Sequence, residues 1–200
     1  MWFKRAAEQG HREAQFNFAC MLAEGHGVEV NAIEAAKWFS KAADQGLAAA
    51  QFNLGVIHEE GRGLDKSGIE AVKHFQQSAD QGYAPAQFKL ANCLLRGTGV
   101  VKDEVEAVRY LVPAARQGFL EAQYYLGFLM ARGRGVTKDP VNALVWLNLA
   151  AAKGHVAARK EKASVAAQLS PADVGKAQRV ALQFKKQNKA MPPPRPAPNN

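Results

Sequence analysis

The chain has 200 residues, of which 48% are hydrophobic, and this suits one ordinary domain with a sizeable core. No apolar run reaches about 18 residues, which excludes a membrane-spanning helix, and the first residues lack the apolar segment of a signal peptide. The formal charge of +8 is uneven, because nine lysines and arginines stand against two acids from residue 155 onward. The basic character therefore belongs to the C-terminal end.

A period of 36 residues runs through the sequence. Large side chains recur at this interval, and each is followed four residues later by a small one. The large residues are Trp2, Trp38, His74, Tyr110 and Trp146. Repeats of this length are typical of helical arrays in which each unit buries its apolar face against its neighbours.

A glycine-rich turn occurs once in each repeat. Its four copies are 25–31, 61–67, 97–103 and 133–139. The first glycine of each copy predicts a left-handed helix end, and the polar residue that closes each copy predicts the N-cap of the next helix. These N-caps are Asn31, Ser67, Asp103 and Asp139. A glutamate three residues later completes a capping-box pattern in the first three copies, and Pro140 suits the first helical position in the fourth.

These turns are interpreted as structural, because a phosphate-binding loop is usually built once and none of the four copies is followed by GK[ST]. A second helix follows each turn and ends at another glycine. Each repeat is therefore a helix, a turn, a helix and a tighter turn.

The order A-x-F/Y-x-L-G, G-x-G-V, D, A-x-x-W and A-A-x-x-G is clearest in residues 126–154. It resembles the Sel-one-like repeat, an α-helical relative of the tetratricopeptide repeat, over residues 1 to about 187. The resemblance implies adaptor proteins that hold proteins or peptides along a curved helical surface and that are not enzymes. It also implies that the first helices of the repeats line the concave surface.

We expect an all-α fold, a right-handed superhelical solenoid of antiparallel helix pairs, as one domain over 1–187. The expected parts are a half-repeat at 1–10, full repeats at 11–46, 47–82, 83–118 and 119–154, and capping helices at 155–187 with a basic outer face. The proline-rich segment 188–200 is expected to be a disordered, extended tail.

Candidate binding residues lie on the first helices, where one alanine near each start serves as position zero. These alanines are Ala14, Ala50, Ala86 and Ala122. Offsets 3, 6 and 10 vary on a constant frame, and Glu24 and Glu60 give way to Arg96 and Arg132 along this stripe. We expect an acidic peptide, or one with a free C-terminal carboxylate, to bind in repeats three and four. The expected site residues are Lys89, Asn92, Arg96, Tyr125, Phe128 and Arg132. In the alternative interpretation, Tyr125 and Phe128 pack on the closing helices.

We expect no catalytic residue, cofactor or metal site. The five histidines fall at unrelated repeat positions without a partner at metal-ligand spacing, and His74 takes the packing position of Trp38 and Trp146. Cys20 and Cys93 lie about two repeats apart, too far for a disulfide, so both are expected to be free thiols.

The sequence thus favours a monomeric, non-catalytic scaffold whose partner is a protein or peptide. The alternative is binding of nucleic acid or an anionic membrane surface by the basic C-terminal helices. Nucleic acid is disfavoured because Phe184 is the only aromatic residue among these basic residues and no known nucleic-acid motif occurs. The compartment is periplasmic or extracellular if a signal peptide precedes this sequence, and cytoplasmic otherwise.

Overall fold

A computed structural model describes residues 2–187, which form helices joined by turns, without a β-strand in that range. The helices are α1 Trp2–Glu8, α2 Arg12–Glu24, α3 Ala32–Asp44, α4 Ala48–Glu60, α5 Gly68–Asp80, α6 Ala84–Arg96, α7 Glu104–Arg116, α8 Leu120–Arg132, α9 Pro140–Ala152, α10 Val156–Ala166 and α11 Pro171–Gln187. None of the helices in this range combines the length and apolar character needed to cross a bilayer. The all-α expectation is confirmed, and the tail expected at 188–200 lies outside the described residues.

The helices form two compact units that divide between Lys102 and Asp103. In the first unit, consecutive helices pack on one another from α1 to α6. In the second unit, α7 packs on α8, α8 on α9, and both α10 and α11 on α9. The single domain expected over 1–187 stays a prediction.

The first glycine of each turn ends the first helix of its repeat, as predicted. Gly25 and Gly61 have φ of 75°, and Gly97 and Gly133 have φ of 70° and 67°. Each lies in the left-handed region and donates its N–H to the carbonyl four residues earlier. Glycine takes this conformation without the steric cost that a Cβ imposes.

The predicted N-caps are confirmed, because each accepts a hydrogen bond from the N–H three residues later, at 2.9 to 3.2 Å. The reciprocal hydrogen bond of the capping box, from the N-cap N–H to the glutamate side chain, is not formed in the first copy, so the expectation is wrong there. The Glu34 side chain accepts from Trp38 Nε1 at 3.4 Å instead of returning to Asn31. The Asn31 N–H donates to the Leu22 carbonyl at 2.9 Å, so the preceding helix already satisfies the group that Glu34 was expected to bind.

The second glycine of the turn lies against the preceding repeat. A Cβ added to Gly63 would stand 2.4 Å from the carbonyl oxygen of Ala32, and one added to Gly99 would stand 2.1 Å from that of Gly68. Ala32 and Gly68 are the first residues of α3 and α5. The second glycine therefore permits direct contact between two backbones as well as a reversal of the chain.

The two closing helices do not pair as the helices of a repeat do. α11 packs on α9, where Phe184 meets the Trp146 ring edge-on with centroids 5.6 Å apart. Trp146 is only 1% exposed, whereas its counterpart Trp2 is 87% exposed. α10 buries only Ala158 and Val165. Most of α10 thus remains open to solvent.

Candidate protein-binding surface

We use the name first-helix stripe for the varying residues on α2, α4 and α6 of the first unit and for their counterparts on α8 of the second unit. Its members are Asn17, Cys20 and Glu24; Asn53, Val56 and Glu60; Lys89, Asn92 and Arg96; and Tyr125, Phe128 and Arg132. All are half-buried or exposed. The neighbouring offsets 4 and 5, such as Leu54 and Gly55, are buried against other helices. The stripe is therefore the accessible side of each first helix.

On α6, the charge of Lys89 is already paired. Its Nζ lies 2.5 Å from Glu59 Oε2 on α4, and the two side chains are 35% and 33% exposed. The same nitrogen lies 5.9 Å from the centre of the Phe75 ring. An incoming carboxylate would have to compete with Glu59 for Lys89.

Arg96 differs from Lys89, because its side chain has neither a hydrogen bond nor an ion pair within residues 2–187. It is exposed and is the last residue of α6, at the end of the helix where the dipole favours a cation. The half-buried Asn92, one turn earlier, likewise makes no side-chain hydrogen bond to a described residue. Asn92 and Arg96 therefore offer donors that no described group occupies.

On α8, an aromatic cluster forms around Tyr124. The Tyr124 ring lies 5.3 Å from Tyr125 and 6.0 Å from Phe128, and it stacks on His155 at 4.5 Å. His155 caps α10, since its Nδ1 accepts from the Ala158 N–H at 3.1 Å. Burial raises the pKa of the Tyr124 hydroxyl above its ordinary value. Tyr124 thus joins α8 to the start of α10, while Tyr125 and Phe128 flank it.

Arg132 is held on two sides. Its guanidinium lies 3.7 Å from the centre of the Phe128 ring, and its Nη1 lies 2.6 Å from Glu161 Oε1 on α10. Cation–π and ion-pair contacts of this kind fix the plane of the guanidinium. The surface that α8 presents is consequently more aromatic than cationic.

Sequence reasoning missed four of these partners, namely Glu59, Tyr124, His155 and Glu161. The sequence alone gives no signal for Glu59, but in the structure contacts at a separation of 30 residues recur in the array. Gln81 contacts Gln51, Arg134 contacts Glu104 and Lys89 contacts Glu59, each across 30 residues of sequence. Tyr124 shares its repeat position with three phenylalanines, so the repeat pattern predicts a core residue at this position.

His58, His74 and the two cysteines take packing positions. His74 stacks on His58 with ring centroids 5.5 Å apart and planes 8° apart, and burial lowers the pKa of His74 below its ordinary value. Cys20 and Cys93 are free thiols, as predicted. Across residues 2–187, no three His, Cys, Asp or Glu side chains are grouped so that they could hold a metal ion.

The Sel1 repeat family model matches residues 1–11, 12–47, 48–83, 84–119 and 120–155. The four full repeats begin one residue later than predicted from the sequence. No curated protein sequence matches the chain.

Several solved structures resemble the chain. A protective antigen of uropathogenic Escherichia coli with an SLR fold is 33% identical, with a TM-score of 0.83 over 94% of this chain and 40% of the antigen. A Sel1 repeat protein from Oxalobacter formigenes is 32% identical, with a TM-score of 0.75 over 92% of this chain and 76% of that protein. An immunity protein from Pseudomonas aeruginosa, at 20% identity and a TM-score of 0.53 over 94% and 74% of the two chains, shares the fold alone.

The chain spans 40% of the length of the Escherichia coli antigen. Five consecutive matches to one family model extend from residue 1 to residue 155 without a gap, and the helices of the structure follow the same period. The chain therefore belongs to the Sel1 repeat family.

Proposed function

We propose that the chain is a non-catalytic scaffold that binds proteins or peptides through its first-helix stripe. Sel1 repeat proteins are generally protein-interaction scaffolds, and their fold is generally non-catalytic. The stripe supports the proposal because its residues change from repeat to repeat, while the buried positions beside it stay apolar or small. Variation on a constant frame is how repeat proteins adapt one surface to different partners.

The observation that carries the proposal is the open donor pair on α6. Asn92 and Arg96 have no side-chain partner among the described residues. A guanidinium binds a carboxylate through two parallel hydrogen bonds, so the partner at α6 is an acidic side chain or a free C-terminus. Lys89 contributes less, because Glu59 already neutralises it.

The patch on α8 contributes apolar contact. Tyr125 and Phe128 are half-buried aromatic residues, and Arg132 lies flat on Phe128. Aromatic residues and arginine are enriched among residues that dominate binding energy. Because Glu161 balances the charge of Arg132, we assign the preference for acids to Arg96 and the apolar contact to Phe128.

Fluorescence anisotropy with a library of labelled acidic and neutral peptides tests this function. We expect Arg96→Glu to weaken the binding of acidic peptides about tenfold or more and to affect the binding of neutral peptides less. Phe128→Ala should weaken the binding of acidic and neutral peptides alike. Arg109→Glu is the matched control, because Arg109 is exposed on the second helix α7 and lies outside the stripe. If all three variants bind every peptide as the unaltered chain does, the stripe is not the binding surface.

A second function is favoured by the exposure of the C-terminal cations. The exposed cations of α10 and α11 are Arg159, Lys160, Lys176, Arg179, Lys185 and Lys186. Glu161, the one acid of α10, pairs with Arg132 and does not neutralise them. Binding to DNA or to vesicles containing phosphatidylserine, measured at rising salt, tests this function. A steep loss of affinity with salt would support it, and an absence of binding at low salt would dismiss it.

A further inference from the structure

In the repeats, the second helix covers two particular offsets of the first helix. Offset 1 is a buried glutamine, and Gln51 at this position accepts a hydrogen bond from Gln81 at the end of α5, at 2.7 Å. Offset 5 is alanine or glycine, and a Cβ added to Gly55 at this position would lie 2.6 Å from the Phe75 ring of α5. A first helix without its second helix would leave both offsets open.

α10 has this layout with both offsets open. Ala158 lies at position zero and is buried, while Arg159 and Ala163 lie at offsets 1 and 5 and are exposed. α11 does not cover them, because it packs on α9. A cleft of about 410 Å³ lies here between α9 and α10, and we call it the α9–α10 cleft. Four alanines, Asn148, Arg159 and Lys162 line it.

The charged residues that line the α9–α10 cleft are all positive. Its lining contains two cations and no acid, because Glu161 points to α8 and pairs with Arg132. Neither Arg159 nor Lys162 has a side-chain partner within residues 2–187. The Nδ2 of Asn148 is buried and has no acceptor in the same range. The cleft therefore combines an alanine floor with unmatched positive charge and an unmatched donor.

We propose that the α9–α10 cleft binds an amphipathic helix of a partner protein, one that carries a carboxylate near its C-terminal end, in the place that a second helix takes in a repeat. A leucine or phenylalanine of this helix covers Ala163, as Phe75 covers Gly55. A carboxylate near its C-terminal end meets Arg159, as Gln81 meets Gln51. This surface involves α9 and α10 only, so the proposal is independent of the first-helix stripe.

The chain itself lacks a segment of this chemistry in the two most obvious places. Residues 188–200 contain two basic residues and no aspartate or glutamate. Helix α1 of a second copy would present the exposed Trp2 and Phe3. However, this helix is followed by Gln9, the counterpart of Gln45, and its cations Lys4 and Arg5 outnumber its one acid, Glu8.

Three labelled peptides test the proposal against the full chain by fluorescence anisotropy. All have the sequence of residues 31–45, the α3 helix with Phe39 as its apolar residue, and are stapled on their exposed side to stay helical. One keeps glutamine at its last position, and the others carry Gln45→Glu or Gln45→Lys. We expect the Gln45→Glu peptide to bind about tenfold more tightly than the Gln45→Lys peptide, and Arg159→Glu in the protein to reverse this order.

Two further variants separate binding from folding. Ala163→Arg should weaken the binding of all three peptides, because the arginine fills the cleft. Lys162→Glu tests the same charge preference if Arg159→Glu fails to fold. Arg179→Glu, exposed on α11, is the control and should leave the order unchanged. Equal binding of the Glu and Lys peptides, no binding of either, or a dimer abolished by Ala163→Arg would each overturn the proposal. The last of these would assign the cleft to a second copy of the chain.

Discussion

Gln81 donates a hydrogen bond from its Nε2 to the Oε1 of Gln51 at 2.7 Å, although 30 residues separate them. Gln51 is 8% exposed and donates in turn to the carbonyl of Ala43 at 3.4 Å. One buried amide therefore links α3, α4 and α5. Gln45 donates the same hydrogen bond to Gln15 one repeat earlier, also at 2.7 Å. These hydrogen bonds replace the ones to water that the amide gives up on burial, so it is not left without a partner.

The fourth repeat lacks this hydrogen bond, and Lys153→Gln should restore it. Lys153 holds the position of Gln81 with a similar backbone, φ −90° against −81°, but its Nζ donates to the Gly118 carbonyl at 2.6 Å. The Oε1 of Gln123, a side chain only 2% exposed, is left without a donor among the described residues. We expect Lys153→Gln to raise the free energy of unfolding by about 1 kcal/mol, measured by urea denaturation.

Lys153→Ala is the control for this change, because it also removes the lysine but supplies no amide. It should leave stability unchanged or lower it. If Lys153→Gln and Lys153→Ala unfold at the same urea concentration, the missing donor to Gln123 has no measurable cost.

Gly99→Ala should destabilise the chain much more than Gly82→Ala. Both glycines have positive φ, 72° and 83°, so both substitutions carry a similar backbone cost of about 1–2 kcal/mol. A Cβ at position 82 meets nothing within 4 Å, whereas one at position 99 would stand 2.1 Å from the Gly68 oxygen. Forcing the two backbones apart adds about 1–3 kcal/mol. Urea denaturation of the pair measures the difference, and equal losses would contradict the contact.

Stability should fall in mild acid because of His74. Burial lowers the pKa of His74, so the unfolded chain takes up a proton near the ordinary value of about 6.5 while the folded chain resists it. Stability from this site is therefore complete above that pH and declines as the pH drops below it. We expect His74→Trp, which installs the residue found at positions 38 and 146, to reduce this decline between about pH 7.5 and 5.5.

The control for the acid experiment is His11→Gln. His11 is exposed and makes no capping hydrogen bond, so this variant removes a histidine that lies outside the stacked pair of His58 and His74. The groups that act on His74 are His58, Gln77, Glu70 and Lys73. A decline of the same size in His74→Trp and in the unaltered chain would place the titrating group elsewhere.

The two thiols should react slowly in the folded chain. Burial raises the pKa of Cys20 and of Cys93, so little thiolate is present near neutral pH. Cys93 is buried and Cys20 only partly so, and we expect Cys20 to react first with a chromogenic disulfide reagent. Unfolding in denaturant should release two thiols per chain. Fewer than two would mean that the native cysteines are oxidised.

Local chemistry made much of the fold predictable. Asn31 and Gly25 have one conformational role each, as an N-cap and as a left-handed helix end, so their 36-residue repetition locates helix ends without knowledge of the packing. The path of α11 could not be inferred in this way. Its course depends on the fit of Phe184 to Trp146, which lies outside the repeated pattern.

The candidate site was predicted less completely than the fold. Offsets 3, 6 and 10 identified the accessible side of α6 and α8, because helical geometry fixes which residues share a face. The internal partners Glu59 and Glu161 come from other helices, and they determine which cations remain available. Helical periodicity within one helix carries no information about such partners, so Lys89, Arg96 and Arg132 look alike in sequence. Of these three, only the Arg96 side chain has no partner among the described residues.

The contact of Gly63 with the backbone of Ala32 constrains how such a protein changes length during evolution. An extra residue inserted between the two would move the glycine off the carbonyl that it touches and would put a side chain in its place. Duplication or deletion of a whole 36-residue unit preserves every such joint. Gene rearrangements in multiples of 108 nucleotides, three for each residue of the unit, are therefore the ones that this architecture can absorb without redesign.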